Sequence, residues 1–161
     1  MAKGDIKIAD VGGKNVVPST PYRTEAGATD ILAGEPVVIG GTGSNYVAPL
    51  ATATPTTTNK MLGVAAADST HTAAADGSID IYVLTPEVVM ECAATTPGNM
   101  DTDAELLAIL NDRIAFDLVG GVYTIDENQG DAGTNGLRVV DGDIAAGTLK
   151  FRLLSGSSDQ S

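Results

Sequence analysis

The chain has no tryptophan, one cysteine and one histidine among its 161 residues, and aromatic side chains make up only 4%. Each scarcity closes off a class of protein. A single cysteine permits no internal disulfide framework. One His and one Cys cannot supply a zinc tetrad. Two Phe and four Tyr leave few rings to stack on a sugar. Basic residues are scarce as well: 9 Lys and Arg stand against 21 Asp and Glu, a net charge of −12. Phosphate binding depends on clustered Lys and Arg, so nucleic acid is not expected as a partner. No apolar stretch approaches the length of a membrane span. The segment Met1–Asp10 carries a charge every two or three residues and has no apolar signal core. The expectation is a soluble protein that is made and used without secretion and without a membrane partner.

Hydrophobic residues make up 43% of the chain and charged residues 19%, which is not the composition of a disordered acidic chain. A mass of 16.3 kDa suits one domain, or one domain with an arm. Nineteen glycines and many small side chains point to short strands and turns. Charge is segregated along the chain. Residues 1–23 hold Lys3, Lys7, Lys14 and Arg23 against Asp5 and Asp10, while Met61–Asp112 holds nine carboxylates and no Lys or Arg. Pro18 and Pro21 disfavour helix in the first segment, and Gly12-Gly13 permits a bend. Residues 1–24 therefore read as an extended N-terminal arm. Residues 25–154 read as a β-rich body, and 155–161 as a flexible tail.

Strands are expected at Pro36–Ile39, Tyr46–Ala48, Met61–Val64, Ser78–Val83 and Val88–Met90. In Ser78–Val83 the residues Ile79, Ile81 and Val83 alternate with polar ones, the period of a half-buried strand. Thr148–Leu153 alternates strictly, with Leu149, Phe151 and Leu153 on one face. Ile114–Val119 and Val122–Ile125 flank Gly120-Gly121, the chemistry of a tight hairpin. Asp76-Gly77, Asn135-Gly136 and Asp141-Gly142 carry further turn signals. One short helix is expected over 102–111. Thr102 and Glu105 have capping-box spacing, and Leu106, Leu107, Ile109 and Leu110 supply an apolar face. The fold class is mainly β: a small β-sandwich or β-barrel with one short α-helix and an extended N-terminal arm.

No catalytic, cofactor or metal site is expected. His71 lies in an Ala/Thr-rich loop, and Cys92 reads as a small buried thiol. Neither has a partner at motif spacing for nucleophilic catalysis. Asp126–Asp131 places oxygen ligands at alternate positions but does not fit an EF-hand loop, and it reads as an Asp/Asn-rich turn. Gly12-Gly-Lys14 and Gly40-Gly-Thr-Gly43 lack the remaining residues of phosphate-binding loops.

Three segments carry a resemblance. They are Ala33-Gly-Glu-Pro-Val-Val-Ile-Gly40, Leu62-Gly-Val-Ala65 and Asp76-Gly-Ser-Ile-Asp-Ile-Tyr-Val83. This order resembles the capsid cement (head decoration) proteins of tailed double-stranded-DNA bacteriophages, where an A-G-x-x-V-x-x-G strand precedes G-V-A and then G-x-x-x-x-V. The run Gly136–Arg152 is similar in flavour to phage head structural proteins. The resemblance implies a non-enzymatic protein with no cofactor, made in the host cytoplasm. It implies binding to the major capsid protein on the outer surface of an icosahedral head, as a homotrimer, to stabilise the shell. It also implies that N-terminal arm residues make partner contacts. The candidates here are Ile6, Lys7, Ile8, Lys14, Val16, Val17 and Arg23. The alternatives are a phage tail or baseplate structural protein, and a small ligand-binding β-barrel.

Overall fold

Short alternating segments divided by glycine-rich turns can bury one face each only by stacking as sheets. The computed structural model describes residues 6–10, 17–50, 55–56, 59–128, 131 and 133–159. Eleven strands run in order through these residues: β1 Lys7–Asp10, β2 Ser19–Thr24, β3 Pro36–Ile39, β4 Val47–Pro49, β5 Gly63–Ala65 and β6 Gly77–Val83, then β7 Val89–Ala93, β8 Arg113–Val119, β9 Val122–Asp126, β10 Leu137–Asp143 and β11 Thr148–Leu153. They form two antiparallel sheets, β1-β7-β11-β10-β8-β9 and β2-β6-β5-β3-β4. The result is a small β-sandwich, and the barrel alternative does not hold. The larger sheet does curl: a single parallel bridge joins Ile125 of β9 to Ala94 just beyond β7. One bridge does not close a barrel.

The curl wraps the main core. Phe151, Met90, Val139, Leu149 and Ile114 have no exposed surface there. Phe116 meets Phe151 and Tyr123 edge-on, at centroid distances of 5.5 and 6.0 Å, a favoured aromatic geometry. A second, smaller cluster gathers Ile31, Val37, Leu62, Ile79 and Ile81. Val83, expected in the core, is only half-buried and packs against this cluster's margin.

The helix α1, Asp103–Ile109, begins as expected. Thr102 Oγ1 accepts from the Glu105 N–H at 3.3 Å, and Glu105 Oε2 accepts from the Thr102 N–H at 3.1 Å. Asn111 ends the helical segment at φ +72°, a conformation that Asn tolerates. Leu106, Ile109 and Leu110 pack on the core, but Leu107 is 67% exposed and does not join the apolar face. Thr102→Ala is expected to cost about 1 kcal/mol through loss of the cap, read as a lowered urea midpoint with an unchanged m-value.

One turn expectation and the tail need correction. Gly120 and Gly121 do form the β8–β9 turn, at φ +60° and +84°. Asp141-Gly142, however, lies inside β10, where a bulge falls between Val139 and Asp141. Glycine is needed at 142 for close approach: a Cβ there would sit 2.7 Å from Leu106 Cδ1 and 3.0 Å from Leu149 Cδ2. The expected flexible tail is also partly built into the body. Residues 155–157 form a 3₁₀ turn, and Ser157 and Ser158 are buried. Met61 N–H donates to Ser157 C=O, and Asp159 N–H donates to Met61 C=O. Small polar side chains do not prevent burial when the main chain finds partners.

Candidate functional site

The described part of the N-terminal segment is extended, and it lies along the body as an edge strand on each sheet. β1 pairs with β7, placing Lys7 opposite Glu91 and Ile8 opposite Met90. Ile6 is 4% exposed and belongs to the main core, and Ile8 is half-buried against it. Lys7 faces solvent, and Val17 is 70% exposed. Lys14 and Val16 lie outside the described residues. The candidates are thus split. Ile6 and Ile8 hold the segment to its own body, while Lys7 and Val17 remain presented outward.

Arg23, on β2, is committed to a local cluster. Its guanidinium lies 3.3 Å from Asp76 Oδ2 and stacks 5.3 Å from the Tyr46 ring centroid. Asp76 also accepts from Tyr46 Oη at 2.6 Å and from the Ala26 N–H at 2.9 Å. The Tyr46 hydrogen bond, then the Ala26 N–H and the Arg23 charge, hold the Asp76 carboxyl below its usual range. A depressed carboxyl contributes stability above its unfolded pKa, and that contribution is lost as pH falls through the folded value. Tyr46→Phe should therefore raise the Asp76 pKa toward the ordinary value, as followed by carboxyl-carbon NMR titration. An unchanged Asp76 titration would show that the phenol does not hold it.

A second surface appears only when the strands are set in register. On the larger sheet Arg138 of β10 stands directly opposite Arg152 of β11 on one side and Arg113 of β8 on the other. Residues directly opposite share a face. Their neighbours Leu137, Ile114 and Leu153 point into the core, so the three arginines form a row on the outer face. One step along, Lys150 stands opposite both Asp141 and Glu91, and Glu91 stands opposite Lys7. Five of the nine basic residues thus share one face of a strongly acidic chain. Lys150 is paired with Asp141 at 3.4 Å, and Arg113 donates to the Gly133 carbonyl. Arg138 Nε is buried and has no hydrogen-bond partner among the described residues. Like charges directly opposite across strands destabilise a sheet. Sequence reasoning missed this row because its members lie 14 to 39 positions apart and only the register aligns them.

The rejected chemical candidates fall in separate places. The Cys92 thiol is buried in the main core and donates to the Tyr123 carbonyl at 3.3 Å. His71 sits on the loop before β6, its ring 3% exposed and its Nε2 2.8 Å from the Ala28 carbonyl. In the 126–131 loop, Asp126 accepts from the Asn128 N–H and Asp131 from the Arg113 N–H. Glu127 turns inward and accepts from the Thr96 N–H and the Asn99 and Asn128 side-chain amides. No protein-family model and no curated protein matches the chain.

Proposed function

We propose that this chain is a non-enzymatic virion protein that binds the outer surface of an icosahedral phage head and stabilises the shell. In this reading it works as a homotrimer whose partner is the major capsid protein. The observation that carries the reading is the outer face of the larger sheet. Among the described residues no carboxylate forms an ion pair with Arg113, Arg138 or Arg152, so the row's mutual repulsion is not offset by those residues. A partner surface bearing carboxylates would relieve that repulsion and set orientation at the same time. β1, with Lys7, forms one edge of the same sheet, so arm and face are continuous. The three segments with cement-protein resemblance support the class of partner.

The test mixes the purified protein with undecorated heads assembled from the major capsid protein of the phage that carries it. Saturable occupancy at a fixed stoichiometry, with a raised shell melting temperature, is the expected result. Arg138→Glu should reduce occupancy at least tenfold at moderate salt without unfolding the protein. Full occupancy by Arg138→Glu would remove the row from the interface. Assembly of the free protein into rings or tubes would favour a tail component instead.

A further inference from the structure

At one end of the sandwich a cleft of about 440 Å³ opens between the β8–β9 hairpin and the loop and strand around β3–β4. Pro49, Leu50 and Leu118 give it apolar walls, and Tyr123, Glu35 and Asp30 bring polar atoms to it. Among the described residues no Lys, Arg or His lines it, although His71 Nε2 lies 3.5 Å from the Asp30 carboxylate at its rim. Tyr123 Oη is already used, donating to the Leu50 carbonyl at 3.1 Å and tying the two sheets together at the cleft floor. Leu118 is 48% exposed at the mouth, and the adjacent Val119 at the hairpin tip is 54% exposed.

Glu35 is the anomaly. The residue is only 9% exposed, yet no cation of the described residues pairs with it. Its Oε2 accepts a single hydrogen bond, from the Leu32 N–H at 3.0 Å, which leaves Oε1 for another donor. Burial pushes its carboxyl above the ordinary range; the Leu32 N–H opposes this and the nearby Asp68 charge adds to it. Buried carboxylates are normally paired or fully hydrogen-bonded. A second carboxylate, Asp30, stands at the rim with 77% of its side chain exposed. Apolar walls of this size around an uncompensated carboxylate select a charged head on an apolar stem. The surplus negative charge of the whole chain favours approach by a cation.

We propose that this cleft binds an organic cation, a primary ammonium on a short apolar stem. The ammonium hydrogen-bonds Glu35 and is screened at the rim by Asp30, while the stem lies along Leu50 and Leu118. The inference stands apart from the shell-binding reading, and its test needs no shell.

The test is an NMR titration of the full chain with n-hexylammonium, with 1-hexanol as the neutral probe of the same stem. N-acetyl-lysine methylamide tests the same head and stem as a protein would present them. Hexylammonium should shift the Glu35, Leu118 and Tyr123 resonances saturably and bind at least tenfold more tightly than hexanol. Glu35→Gln, which keeps the shape and removes the charge, should weaken hexylammonium at least tenfold and leave hexanol unchanged. Asp30→Asn, at an exposed position, should weaken it about threefold and guards against a folding defect in the first variant. Tighter binding of the lysine derivative than of hexylammonium assigns the cleft to a partner's lysine side chain, and the reverse order assigns it to a free amine. Equal binding of hexanol and hexylammonium, or a Glu35→Gln protein that binds hexylammonium like the parent, overturns the proposal.

Discussion

Phe151→Ala is expected to lower stability by about 3–5 kcal/mol. The ring is fully buried at the centre of the larger sheet, with Val139 opposite on β10 and Met90 opposite on β7. It also meets the Phe116 ring edge-on, 83° from parallel. Truncation loses the transfer free energy of the ring and leaves a cavity that flanking strands on both sides cannot fill by moving. Loss of the edge contact adds about 0.5–1.5 kcal/mol to the ring's burial term. Domains of ordinary stability hold about 5–15 kcal/mol in all, so the variant is expected to be near the margin of folding at physiological temperature. Urea denaturation gives the number. Phe151→Leu, which keeps much of the volume, should cost less than about 1.5 kcal/mol. Leu107→Ala, at an exposed helix position, should fall within about 0.5 kcal/mol of the parent. A Phe151→Ala protein with the parent's urea midpoint would remove the ring from the core.

The success of that core assignment and the failure of others have one physical origin. Strict alternation in Thr148–Leu153 and Ser78–Val83 reports a local fact, which face of a strand is covered, and both strands were legible for that reason. The capping box at Thr102 and Glu105 and the Gly120-Gly121 turn are likewise local hydrogen-bond and dihedral chemistry. Asp141-Gly142 has the same local chemistry as a turn. What decides its role is the approach of Leu106 from a helix some thirty-five positions away, and turn propensity carries no information about that. Ser155–Asp159 reads as a polar tail until Met61 supplies the main-chain partners that bury it. The arginine row and the Glu35 cleft are both products of register and sheet stacking. Arg113, Arg138 and Arg152 look like scattered solvated charges along the chain, and Glu35 like the polar residue of a turn before a strand. Close-packed neighbours from other elements make each of them unusual.

Ile6→Ala is expected to lower stability by about 2–4 kcal/mol, although the residue stands in what the sequence presents as an arm. The side chain is 4% exposed and packs in the main core, one position before β1 begins its pairing with β7. A solvated arm would make its residues nearly neutral to substitution, and Val17, at 70% exposure, is the internal control. Val17→Ala should stay within about 0.5 kcal/mol of the parent. For a chain of this length each kcal/mol moves the melting temperature by about 2–4 °C. Ile6→Ala should therefore melt about 5–15 °C below Val17→Ala in calorimetry. Deleting residues 1–23 is the larger perturbation. It removes Ile6 and all of β1 together with most of β2, and so uncovers the edges of β7 and β6 in the two sheets. Unpaired edges with apolar neighbours invite aggregation, so the truncated protein is expected to be poorly soluble or to unfold at low urea. Loss of shell binding by that truncation would say nothing about an anchor. The informative variants keep the strand and change only what it presents: Lys7→Glu alters charge at the sheet edge, and Val17→Asp alters the exposed apolar position. If Ile6→Ala melts with the parent and the 1–23 deletion stays folded, the segment is an arm after all, and β1 contributes no stability to the sheet it borders.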